Sequence, residues 1–184
     1  MPPTIASRLC RLAPFALTCL ALAGLPSVAV ASPCASAQAD LGATPAWQVR
    51  DETLSLLNEE RSSRGRGALE LDDRLTLAAR AHSCDMVTER YFAHDSLSGR
   101  FLSGRIAATG WMDGRSGWRV GENLAWGTGS LASPRATVDA WMQCAGHRRN
   151  ILQRRFQVIG IGLMGGTPIA GPGDGITYTT DFGS

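Results

Sequence analysis

Apolar side chains recur at helical spacing in three stretches of the chain and gather into two strand-like runs near its end. The spacing of Trp47, Leu54, Leu57 and Arg61 suits one helix face, so a helix is predicted over 47–64, ending near "SRGRG". The next stretch, "LELDDRLTLAARAHSCDMVTERYFAH", predicts a helix from an Asp72 N-cap to about Arg90. It carries two apolar stripes, Leu75/Ala79/His82/Met86 and Leu77/Ala81/Cys84, and is therefore expected to be covered on more than one face. Residues 95–120 are rich in Gly, Ser and Arg and hold one short amphipathic piece, Phe101–Ala108. A third helix is predicted at "SPRATVDAWMQC", with Ser133 as N-cap, Pro134 in the first turn, and Val138, Trp141 and Met142 facing inward. Residues 156–164 and 175–183 read as strands. The Gly/Pro-rich 165–174 between them predicts a long loop closing an antiparallel hairpin. No internal repeat occurs. Helices first and strands last favour a layered α+β domain over a doubly wound sheet.

Residues 1–31 stand apart from this pattern. Arg8 and Arg11 precede the apolar run "LAPFALTCLALAGL", which is too short to span a bilayer, and "AVA" at 29–31 is a cleavage signal ahead of Ser32. The expectation is a signal peptide over 1–31, a flexible leader over 32–45 and one domain over 46–184. Such a protein is secreted, extracellular or periplasmic according to the envelope, and no transmembrane segment is expected beyond the signal. The chain has 18 basic and 16 acidic residues, and loss of Arg8 and Arg11 would leave sixteen of each. A neutral domain has no electrostatic reason to seek nucleic acid or an anionic membrane. Cys34, Cys84 and Cys144 would remain after cleavage, allowing at most one internal bridge among three pairings.

The candidate chemistry lies in four motifs: "YFAH" (91–94), "GENLAWG" (121–127), "WMQCAGHRRNIL" (141–152) and "YTTDFG" (178–183). Within the third, a small Ala-Gly turn after the helix sets His147 off the helical stripe. In this order the motifs resemble those of the CAP superfamily, or SCP domain: cysteine-rich secretory proteins, antigen 5 and pathogenesis-related proteins, here of the compact bacterial type. The resemblance implies a CAP-type α-β-α sandwich, α+β in class, with an antiparallel sheet between helical layers and a cleft at one end. It also implies that His94, Glu122 and His147 line that cleft, and that His94 and His147 can hold a divalent metal such as zinc. A second glutamate of eukaryotic members falls on Cys144. Two imidazoles are fewer ligands than a stable zinc site has, so the metal would be held weakly and only while the histidines are neutral. Glu122 would be a third ligand or would orient a histidine from behind.

Several bland readings stand beside these. The three cleft residues also suit a hydrogen-bond network that fixes loops, His82 suits a satisfied core position, and Asp181 suits a strand-end hydrogen bond outside the site. Cys144 has no orienting partner or oxyanion hole in view for nucleophilic work, although a His94/His147/Cys144 metal set is chemically reasonable. Trp118, Trp126 and Trp141 read as core and loop packing, and 165–175 as a loop where a partner docks. The functional expectation is a non-catalytic binding module for a divalent cation or small ligand, lipids included. The alternatives are a metal-assisted hydrolase with Glu122 as base, or a surface-associated interaction protein.

Overall fold

A computed structural model of the protein describes Leu41 and Thr44–Ser184; the expected signal peptide, most of the expected leader, and Cys34 lie outside the described residues. Helix α1 (Ala46–Ser62) is followed by the two-residue strand β1 (Glu70–Leu71) and helix α2 (Asp73–Thr88). Asp72 caps α2 as its position predicts: its carboxylate accepts from the Arg74 and Leu75 amides. Helix α3 (Leu102–Ala107), strand β2 (Val120–Gly127) and a 3-10 turn (Gly129–Ala132) lead to α4 (Pro134–Gln143), whose N-cap Ser133 accepts from the Ala136 amide. Helix α5 (Ala145–Ile151) and strands β3 (Val158–Thr167) and β4 (Gly171–Gly183) complete the chain.

The strands form one sheet in the order β1-β3-β4-β2. β4 pairs antiparallel with both β2 and β3, while β1 runs parallel to the start of β3. On one face α1, α4 and α5 bring Leu56, Leu57, Val138, Trp141 and Ile151 onto Ile159, Ile161, Leu163, Tyr178 and Phe182. Each such fully buried side chain contributes roughly 1.5–3 kcal/mol. On the other face α2 lies directly on the sheet. A Cβ at Gly160 would stand 2.0 Å from the Leu75 carbonyl carbon, and one at Gly162 would stand 2.2 Å from that of Ala79. These two glycines, alternating with Ile159, Ile161 and Leu163, let helix backbone meet strand backbone. A smaller cluster of Leu75, Ala78, Ile106 and Trp111 closes that side. The result is the expected α-β-α sandwich.

Four local expectations change. Most of 165–174 is not loop: the strands continue to Thr167 and resume at Gly171, leaving a turn of 168–170, with a register shift after Gly165. The positive φ of Gly166 accommodates the irregularity. Ala145 and Gly146 are not a turn but the first residues of helix α5, and the break belongs to Cys144, whose extended φ/ψ of −88°/122° ends α4 and begins α5. Most of the second α2 stripe is solvent-facing, because Leu77 and Ala81 are exposed while Cys84 is buried. Of the tryptophans, Trp141 is core, whereas Trp47, Trp118 and Trp126 are exposed and Trp111 fills the second cluster.

Candidate functional site

Glu122 is the centre of the site. Strand register puts it directly opposite Asp181 on β4, which in turn faces Gly160 on β3. The three therefore share the α2 face of the sheet, and the missing side chain of Gly160 makes room there. Both carboxylate oxygens of Glu122 are engaged. Oε2 accepts a charge-assisted bond from Nη2 of the buried Arg105, on α3. Oε1 lies 2.7 Å from Nδ1 of His94. A carboxylate accepts only, so Nδ1 carries the hydrogen and Nε2 of the exposed His94 ring is left open. This bond to Glu122 raises the His94 pKa above the ordinary imidazole value, against partial desolvation. Arg105 also donates through Nη1 to the carbonyl oxygens of His94 (2.8 Å) and Arg100 (3.2 Å), fixing the segment that carries His94.

His147 comes from α5, in the opposite layer. α5 is laced to β2 by side-chain amides: Asn150 Nδ2 donates to the Glu122 carbonyl at 3.0 Å and to Asn123 Oδ1 at 2.9 Å. Asn123 Nδ2 donates in return to the His147 carbonyl at 3.2 Å. The half-buried His147 ring has its pKa lowered by desolvation and then by the charge of His94, which keeps it neutral. A segment after α2, a strand and a short helix thus supply His94, Glu122 and His147, with His94 bonded to Glu122 and its charge felt at the His147 ring. Cys144, by contrast, is an exposed free thiol whose pKa is lowered by the backbone amides of His147 and Gly146. Among the described residues no three His, Cys, Asp or Glu side chains form a metal-holding group. Neither Cys144 nor Glu122 completes a ligand set with the two histidines. Cys84 is disulfide-bonded, so the two sequence-allowed pairings that involve Cys144 do not form.

A profile of the cysteine-rich secretory protein family, CAP, matches residues 54–172. The chain belongs to this family. Its CAP domain is 36% identical over 113 residues to the Bacillus subtilis protein YkwD, and 30% identical over 112 residues to the membrane protein YlbC of the same organism. Each alignment takes in 61% of this chain but only 41% and 30% of those longer proteins. An extracellular SCP-domain protein from Bacillus anthracis superposes with a TM-score of 0.57 at 25% identity, covering 77% of this chain and 44% of that one. An outer surface protein from Borrelia burgdorferi has the same fold, with a TM-score of 0.61 at 20% identity over 74% of this chain and 92% of its own.

The sequence reading of this CAP domain missed three polar residues at the site. His82 is a core histidine, fully buried with Nε2 3.0 Å from the Ala93 carbonyl, but that nitrogen is also 4.0 Å from Glu122 Oε2. Burial lowers its pKa and keeps the ring neutral. Arg105 gave no signal, being one arginine among many in a Gly/Ser-rich stretch. Asp181 does not make the expected strand-end bond. It is fully buried, and neither of its oxygens has a donor. Burial first, and the adjacent Glu122 charge second, push its pKa well up, with Arg105 opposing. The neutral acid then has a hydrogen to offer its carboxylate neighbour. Pairing "GENLAWG" with "YTTDFG" as strands would have exposed this contact, since facing residues share one side of a sheet.

Proposed function

We propose that this CAP domain is an extracellular binding module whose cleft takes a divalent cation, zinc by its nitrogen donors, between His94 Nε2 and His147, without turnover. The observation that carries this reading is the full engagement of Glu122. With Oε1 on His94 and Oε2 on Arg105, the carboxylate orients an imidazole instead of standing free to take a proton from water. Two imidazoles fit an ion held weakly, with its remaining positions left to water or to a small ligand. The extracellular assignment is supported by the leader-like residues 1–31 and by the extracellular SCP-domain relative.

Calorimetric titration of zinc into the protein at pH 7.5 tests the proposal. Saturable binding is expected, weakened at least about tenfold in both His94→Ala and His147→Ala with the fold kept. Equal binding in wild type and both variants, or none in the wild type, sinks it. Ester or peptide turnover abolished by Glu122→Gln would reverse the choice in favour of a hydrolase.

A further inference from the structure

One edge of the sheet is open for most of its length. β1 ends at Leu71 after pairing only with Val158 and Ile159, and among the described residues no strand takes its place beside the rest of β3. The Asp72 amide donates to the Ile159 carbonyl, so Ile159 turns its main-chain groups toward that edge. By strand alternation Ile161 and Leu163 do the same. A hollow of about 340 Å³ lies against these two residues, walled by Trp47 and Arg50 of α1 and by Thr76 and Arg80 of α2. A row of unpaired strand N–H and C=O groups is a template for other chains, and secreted or not, folded proteins cover it.

The chain carries its own cover. Pro45, where the described backbone enters α1, is part of the same lining. On α2, Cys84 stands one turn beyond Arg80 in the row that also holds Thr76, and it is buried and disulfide-bonded. Cys144 is free, and Cys10 and Cys19 belong to the expected signal peptide, which leaves Cys34 as the partner. From Thr76 to Cys84 the helix rises about 12 Å, and the chain from Cys34 to Pro45 can reach about 36 Å when extended. Leu41 is half-buried against the main core, to which Ile161 and Leu163 also belong. The intervening "ASAQADLGA" (35–43) is mostly small and has no proline, so every residue can offer an amide. Its one charged residue, Asp40, suits walls that carry Arg80 and Arg50, the latter also paired with Asp51.

We propose that residues 35–43 lie extended along the open edge of β3 and cover the main-chain groups of Ile161 and Leu163, pinned by a Cys34–Cys84 disulfide. The bridge forms by exchange with an oxidised disulfide donor met on export, which takes up the two electrons and two protons of the two thiols. The leader is then a built-in edge guard, independent of the proposed cation cleft.

Two measurements on the exported protein test this. In an unreduced tryptic digest, the peptide ending at Arg50 is expected to be joined to 81–90, with Cys144 open to alkylation. In hydrogen exchange, the Ile161 and Leu163 amides are expected to be slow, and at least about tenfold faster in Cys34→Ser while the β2–β4 amides stay protected. Gln38→Pro combined with Ala39→Pro keeps the cysteines but removes leader donors, and should produce the same acceleration. If Cys34→Ser unfolds, the proline variant decides. Cys34 found free or joined elsewhere, or unchanged exchange at Ile161 and Leu163 in the proline variant, would overturn the proposal. Protection of those two amides that rises with protein concentration would assign the edge to a second copy of the chain and overturn it equally.

Discussion

Glu122 and Asp181 are chemically alike and face each other across two strands, yet their surroundings differ. Arg105 and His94 hydrogen-bond the Glu122 carboxylate directly, whereas neither oxygen of Asp181 has a donor and Arg105 acts on it only through its charge. Glu122→Gln leaves the buried Arg105 guanidinium unpaired and is expected to cost about 3 kcal/mol in urea unfolding. Asp181→Asn replaces a neutral acid by a neutral amide and is expected to be neutral or stabilising near pH 7. The raised folded pKa of Asp181 means that stability falls as pH rises above the unfolded carboxyl value, where only the unfolded state ionises. The stability gap in favour of the asparagine variant should therefore be wider at pH 7 than at pH 4.5. The histidines differ in sign. His82 and His147 have lowered pKa values, so their contribution is full above about 6.5 and is lost as pH falls. His94, raised by Glu122, contributes most below that value and loses its effect as pH rises through its folded pKa. In the proposed site zinc would compete with the proton on His94, so affinity is expected to drop between pH 7.5 and 5.5, with His94 protonating first. Equal affinity at both values would show that imidazole nitrogens are not the ligands.

At the scale of elements, what the sequence made legible was what local chemistry decides. Asp72 and Ser133 begin helices because their side chains take otherwise orphaned amides, and that depends on a few neighbouring residues. Asp72 also accepts from Trp111 Nε1 at 3.0 Å, so Asp72→Ala should cost more than the roughly 1 kcal/mol of a cap alone, as read by thermal or urea unfolding. Strand β2 was less legible. Its "GEN" opening has poor strand propensity, and it is a strand because β4 pairs with it for eight residues. Gly146 makes Ala145-Gly146 read as a turn, while the break lies at Cys144 in extended conformation and the pair opens α5. Gly160 and Gly162 mark a contact that only the assembled fold explains. Gly160→Ala and Gly162→Ala are each expected to cost at least about 3 kcal/mol or to prevent folding, because the methyl group would meet helix backbone. Normal melting of either variant would mean that α2 can lift off the sheet.

The whole molecule is tied across its sequence by a few buried polar anchors. Arg61, almost entirely buried on α1, donates to the carbonyl oxygens of Gly67, Ile151, Gln153 and Phe156, joining the first helix to the chain between α5 and β3. The side of β2 away from β4 is covered in a similar way. Trp141 Nε1 donates to the Leu124 carbonyl and Asn150 Nδ2 to that of Glu122, so helices on the other layer satisfy strand carbonyls beside the site. Placement of the two acids has a practical consequence. Their separation is set by strand pairing and not by any loop, whereas His94 and His147 arrive on a peripheral segment and a seven-residue helix. The floor of the proposed cleft is masonry and its jaws are fittings. Exchanging the segment around His94, or α5, should alter what the protein grips while the acidic base beneath keeps its spacing.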